Sequence, residues 1–174
     1  MRQTGKLKLK LIDESDNAEQ NSFNFNFQQL EAYATSLVQV CSAHTPATMG
    51  ITQTHKQVQF GAITKNGPAF ALSGGGVKVT AAGFAIVSIN VNLYDLGSED
   101  RVSADVCKNG SPFYQYSTEL SYGWEATLVQ TTKIIPVVAN DIITVKVWND
   151  TEAKGQINAP ASWMTMWYFK NLNF

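Results

Sequence analysis

The chain has 174 residues, is 44% hydrophobic and only 16% charged, and carries a formal net charge of −1. That is apolar enough for one ordinary domain with a short appendage, and so poor in charge that some surface is expected to be covered by other chains. Beyond the modest KLKLK at 6–10 there is no basic run to capture nucleic acid, and no apolar run reaches the ~18 residues of a membrane-spanning helix.

The opening MRQTGKLKLKLIDESD alternates charge with leucine and lacks the apolar block of a secretion signal. Synthesis in a cytoplasm without ordinary export is therefore expected. LKLKLI at 7–12 predicts a short strand with its leucines on one face, and DESDN a polar turn. NSFNFNFQQLEAYATSLVQVC at 21–41 carries two periods. Phe23, Phe25 and Phe27 alternate with asparagines, whereas Phe27, Leu30, Ala34, Leu37 and Cys41 step by 3, 4, 3 and 4, the seam of a coiled helix. Asn26 can cap a helix with Gln29 in its third position, and Phe25 with Leu30 has the spacing of a hydrophobic staple. An extended lead-in followed by a helix over 27–41 is the prediction. So short a helix is marginal alone in water. It packs either on its own domain or with identical helices around a symmetry axis. AHTPATMGITQTH at 43–55 reads as a linker.

From residue 56 onward the pattern is strands and turns. KQVQFGAI alternates, KNGP is a turn, and SGGG precedes VKVTAAG. FAIVSINVNLY sets Ala85, Val87, Ile89, Val91 and Leu93 on one face and Ser88, Asn90 and Asn92 on the other. LGSEDR reads as a polar loop, and VSADVCKNG as a strand ending in an Asn-Gly hairpin turn. SPFYQYSTELSYGWE is aromatic and loop-like. ATLVQTTKIIPVVANDIITVKVWND gives two strands about Asn140 and Asp141, TEAKGQINAP a loop, and SWMTMWYFK a closing strand. About eight short strands with regular turns imply a sandwich, jelly roll or barrel. In the closing strand Trp163, Trp167 and Phe169 point one way and Met164, Met166 and Tyr168 the other. A strand apolar on both faces is covered on both, while a two-layer sandwich covers only one face of each sheet. Another subunit is the economical second cover; a thick monomeric core is the alternative.

Residues that could carry chemistry are sparse. His44 and His55 have no Glu or Cys at ligand spacing. Cys41 and Cys107 are far apart and read as free thiols. No Gly-x-Ser-x-Gly elbow occurs, and the glycines at 74–76 precede a strand rather than a helix, so they form no phosphate loop. Asp95, Glu99 and Asp100 share one loop and Asp150 and Glu152 another; without an Asp-x-Asp-x-Asp-Gly run they read as solvated charges rather than a calcium or glycosidase site. No enzyme, cofactor or metal is expected. The aromatic stretch 112–124, with Tyr114, Tyr116, Tyr122 and Trp124, could stack on sugar rings or fill an interface, and interface or loop packing is the favoured reading.

The runs VQFGAITKNG, VKVTAAGFAIVSINV, RVSADVCKNG, TTKIIPVVANDIITVKVWN and ASWMTMWYFK together resemble the tumour-necrosis-factor and complement-globular-head jelly roll over residues 56–170. Val58 and Phe60, Gly83 and Phe84, Asn109 and Gly110, Asn140 and Asp141, and Ser162 with Trp163 stand at that pattern's places. The turn reads AND rather than GD, and the loop at 117–124 departs from the pattern, which weakens any transfer of ligand specificity. The resemblance implies a ten-strand jelly roll and a tight trimer with aromatics buried on its axis. Asn24, Asn26, Phe27, Leu30 and Glu31, after a leucine-alternating strand and an acidic turn, resemble the start of phage tail-fibre and virion-fibre proteins. The resulting expectation is a mainly β protein in four parts: an attachment segment at 1–22, a coiled-coil helix at 23–42, a linker at 43–55 and a jelly roll at 56–174. As a homotrimer it would line its axis with Phe27, Leu30, Ala34, Leu37 and Cys41 in the stalk and with Trp163, Met164, Met166, Trp167 and Tyr168 in the head. The function this implies is a bacteriophage virion fibre or spike, docked to other virion proteins through its N-terminal segment and touching a host-surface glycan. The competing class is a free-standing trimeric lectin or adhesin.

Overall fold

The computed structural model describes residues 2–3, 10–11, 28, 38–114, 118–122, 127–150 and 155–170. Two compact units divide the chain, 1–38 and 39–174. In the first, β1 (Arg2–Gln3) pairs antiparallel with β2 (Lys10–Leu11), so Lys10 and Leu11 of the predicted 7–12 strand are strand. Gln28 is helical.

The second unit is a β-sandwich. In chain order its strands are β3 (Val38–His44), β4 (Met49–Gly50), β5 (Lys56–Gln57), β6 (Ala62–Lys65), β7 (Phe70–Ser73), β8 (Gly76–Val79), β9 (Gly83–Tyr94) and β10 (Ser98–Lys108). There follow β11 (Ser111–Tyr114), β12 (Thr118–Tyr122), β13 (Thr127–Val137), β14 (Ile142–Asn149), β15 (Gln156–Ile157) and β16 (Trp163–Lys170), with one 3-10 turn at Ala159–Ala161. One sheet runs β6-β3-β16-β9-β13, with β15 continuing the line of β16 along β9 and carrying β4 at its side. The other runs β7-β8-β14-β10, with β11 and β12 both on β10 and β5 on β14. Consecutive strands β13 and β14 belong to different sheets, so the turn at Asn140 carries the chain from one layer to the other, as a jelly roll requires.

Alternation builds the core between the layers. Ala85, Val87, Ile89, Val91 and Leu93 of β9 face inward beside Met164, Met166 and Tyr168 of β16. Val102, Ala104 and Val106 of β10 and Val145 and Val147 of β14 supply buried residues of the other layer. Phe70 meets Tyr168 edge-on at 6.2 Å, and the Tyr168 hydroxyl donates to the Ala82 carbonyl at 2.7 Å, so the phenol is buried without an orphaned group. β9 must open with glycine: a Cβ on Gly83 would collide with the Phe169 backbone carbonyl of the paired strand. The hairpin after β10 turns through Asn109 (φ 53°) and Gly110 (φ 81°), the two left-handed residues that the Asn-Gly signal implies.

Four expectations are corrected. The predicted helix over 27–41 ends wrongly, because Val38–Cys41 is the start of β3; Phe27, Leu30, Ala34 and Leu37 lie outside the described residues. Its two periods coincide here: Cys41 continues the 3–4 spacing, but Gln39, Cys41 and Ala43 also alternate inward on a strand. Gln39 hid that alternation, since a glutamine rarely faces a core. It does so by accepting a hydrogen bond from the Ala69 N–H through Oε1, at 2.7 Å. The sandwich therefore begins with β3, and the supposed linker at 43–55 contains the end of β3 and β4. LGSEDR is strand from Ser98 onward, and the 112–124 stretch is largely β11 and β12 rather than loop.

Candidate oligomerisation face

The β6-β3-β16-β9-β13 sheet has a second face, turned away from the core, and register sorts it into rows across β16, β9 and β13. Phe169, Phe84 and Pro136 form the first row, and Trp167, Ile86 and Ile134 the second. Thr165, Ser88 and Thr132 form the third, then Trp163, Asn90 and Gln130. Beside them β3 turns Val38, Val40, Ser42 and His44 outward. The Thr45 hydroxyl donates to the Ala159 carbonyl at 2.8 Å, which sets the His44 end of β3 beside the start of β16 and the Val38 end toward the apolar rows.

This surface is unusual in two ways. Seven large hydrophobic residues are exposed among the described residues, and five of them, Val38, Phe84, Ile134, Trp163 and Phe169, share this one face. A sixth, Val138, follows directly at the end of β13. Ile134 is 64% exposed and Phe84 49%, far more than neighbours that face the core. Moreover, no Asp, Glu, Lys or Arg stands at an outward position of β3, β9, β13 or β16 in a chain with 27 such residues (13 basic, 14 acidic). Scattered exposed hydrophobics need no explanation; a contiguous, uncharged patch does.

The opposite layer carries different chemistry. On its outward side Asp105 is buried, with His55 Nε2 3.1 Å from its Oδ2, and His55 lies tilted against Trp148 at 5.6 Å. Ser103 and Thr144 share that side, and Lys146 donates to the Gly110 carbonyl at 2.8 Å. Nothing in the sequence spacing links His55 to Asp105; only the pairing of β5 and β10 with β14 joins them.

Residues singled out for chemistry take structural roles. Burial, the dominant effect, pushes the Cys41 thiol up to about 12, against smaller lowering by a Met166 backbone hydrogen bond and by Lys65. Burial also raises Cys107, tempered by Lys146. Neither thiol is poised as a nucleophile. The loop acids hold backbone and side-chain donors: Asp100 accepts from the Gly97 N–H at 2.7 Å, Asp150 from Arg101 N–H at 2.8 Å, and Asp95 from Gln156 at 2.9 Å. Among the described residues no cluster of three or more His, Cys, Asp or Glu has metal-site geometry.

Of the predicted interface residues, Trp163 and Trp167 stand on the outward face. Met164, Met166 and Tyr168 do not; they are buried inside the sandwich, because the inward face of β16 packs against the other layer. Cys41 also lies in the core, beside Met166, and cannot line a stalk axis. Tyr114 and Tyr122 end β11 and β12, while Tyr116 and Trp124 lie outside the described residues. Sequence reasoning missed Phe84, Ile86, Ile134 and Pro136. The signal was present: apolar residues at the outward positions of strands whose inward positions were already apolar.

No protein-family model matches the chain, and no curated protein matches it in sequence. Solved structures do. The crystal structure of murine APRIL at pH 8.0 superposes with a TM-score of 0.58 at 14% identity, over 76% of this chain and 99% of that one. Eiger TNF from S. frugiperda gives a TM-score of 0.51 at 11% identity, over 79% and 95%. The fold is a TNF-like jelly roll. At such identities the likeness is one of architecture, and the TNF-like head carries its own surface chemistry.

Proposed function

We propose that the TNF-like head self-associates as a homotrimer through the outward face of the β6-β3-β16-β9-β13 sheet, and that the chain is a non-enzymatic structural protein. The observation that carries this is the uncharged apolar face. Burying a large apolar side chain contributes ~1.5–3 kcal/mol, so five half-exposed ones per subunit supply enough to offset the cost of association, on the order of 4–15 kcal/mol. Around a three-fold axis one patch meets a different patch of the next copy, while residues close to the axis meet their own copies, and the absence of charge removes like-charge repulsion there.

The finer reading is a bacteriophage virion fibre or spike made in the host cytoplasm. Residues 1–22 would attach to other virion proteins, and the head would point outward to touch a host-surface glycan. Its support is the fibre-like N-terminal sequence at Asn24, Asn26, Phe27, Leu30 and Glu31. Three tips would add weak contacts as avidity.

The test is the native solution mass of the full chain. Three chains of 19.1 kDa give about 57 kDa; a mass near 19.1 kDa at micromolar concentration overturns the proposal. Deleting residues 1–22 separates the finer readings. Loss of particle incorporation with the trimer intact supports the virion role, whereas glycan binding that persists without a particle favours a free-standing lectin.

A further inference from the structure

The outward face is not uniform, and its two halves can do different things. The rows Phe169–Phe84–Pro136 and Trp167–Ile86–Ile134 are wholly apolar. Next to them the Thr132 hydroxyl donates to Ser88 Oγ at 3.1 Å. In the following row Gln130 Nε2 donates to Asn90 Oδ1 at 2.6 Å, and Asn90 Nδ2 donates to the Ala161 carbonyl at 2.8 Å. Asn90 is 5% exposed and uses both ends of its amide in these bonds, whereas Gln130 and Thr132 are exposed. Asn90 therefore acts as a bracket that fixes the Gln130 amide against the sheet. One N–H of Gln130 is spent on the bracket, leaving the second N–H and Oε1 for a partner outside the subunit.

An amide both donates and accepts, so it can pair with the same group on another copy. A carboxylate or an ammonium cannot. Apolar rows alone lack direction: they attract any apolar surface, and they tolerate a slip along the strand by one pair of residues. A slip of two such pairs would carry the Gln130 row past the hydroxyls of Thr165, Ser88 and Thr132 onto the Trp167–Ile86–Ile134 row and strand its amide without a partner, which is costly in a dry contact.

Resting on the trimer reading above, we propose that the Ser88–Thr132 and Asn90–Gln130 rows select the register of the trimer and restrict the partner to another copy of this chain, while the Phe84, Ile86, Ile134, Trp167 and Phe169 rows supply the cohesion. The amide row then plays the part that single buried polar residues play in coiled coils, trading some cohesion for one defined assembly.

The experiment uses the full chain and two variants, Gln130→Val and the double variant Asn90→Val/Gln130→Val, examined by native mass spectrometry with ion mobility. Wild type is expected as a single trimeric species with one mobility. Both variants are expected to stay associated but to divide among two or more species, larger oligomers or trimers of differing mobility, with the wild-type species falling to about half or less of the chains. A variant that forms one trimer of wild-type mobility overturns the proposal, because the row then selects nothing. A monomeric variant also overturns it, because the row would then hold the trimer together. Gln130 is exposed, so its single replacement leaves the fold intact should the double variant not fold. If wild type itself is monomeric, the trimer reading has failed first and takes this one with it.

Discussion

Replacing Ile134 with threonine isolates the central physical claim. Both residues are β-branched and suit a strand, so the propensity of β13 is kept while the apolar character of one face position is lost. Ile134 is 64% exposed in the single chain, and its register partner is Ile86 in the middle of the apolar half. If a neighbouring copy covers it, roughly two-thirds of the ~1.5–3 kcal/mol of full burial is at stake, and the threonine hydroxyl adds a desolvation cost, so about 1.5 kcal/mol per subunit is expected. Three equivalent sites give about 4.5 kcal/mol, or a little over three decades in the trimer-to-monomer constant. That constant has units of concentration squared, so the midpoint concentration rises by its square root, about 45-fold. A sedimentation dilution series of both proteins reads the midpoint directly. Unfolding of the monomer is the control, because a surface substitution shifts it by no more than about 0.5 kcal/mol. A trimeric wild type whose variant has a midpoint within about threefold would refute the reasoning, since the apolar half would then not be where copies meet.

Two further outcomes concern the sandwich. Met166→Ala removes a fully buried side chain beside Cys41 and Val87 and should cost about 2–5 kcal/mol in urea unfolding; a loss below about 1 kcal/mol would contradict its assignment to the core rather than to an interface. Burial holds the Cys41 thiol at about 12 against its ordinary 9.0, so the folded chain keeps a proton that the unfolded chain releases first. Its contribution is therefore fully present below pH 9.0 and is lost as pH rises from there toward about 12. Cys107 and Tyr168 are raised by burial as well and act in the same direction. Urea unfolding between pH 8 and 11 should show stability falling above about pH 9, and falling less steeply in Cys41→Ala; equal slopes would discount the thiol.

The sequence alone settled the class of fold and much of the layout within it. The inward set of β9, the Asn-Gly hairpin after β10 and the two-sided apolarity of β16 were all legible, because a strand's alternation and a turn's backbone demands are local properties. The low charge content likewise raised the expectation of covered surface before any face was known. What the sequence could not decide was which side of each strand met which cover. Met164, Met166 and Tyr168 look no different from Trp163 and Trp167 until the opposite layer is set against them, and that layer comes from residues remote along the chain. The same holds for β3, where a buried glutamine satisfied by Ala69 disguised a strand as the last turn of a helix. The Asn90–Gln130 bracket was hidden for a related reason: each amide alone is an ordinary polar residue at an outward position. Only the pairing of β9 with β13 joins them. Side-chain periodicity is written along the chain, whereas burial is a relation between distant segments, and the tertiary structure alone supplies it.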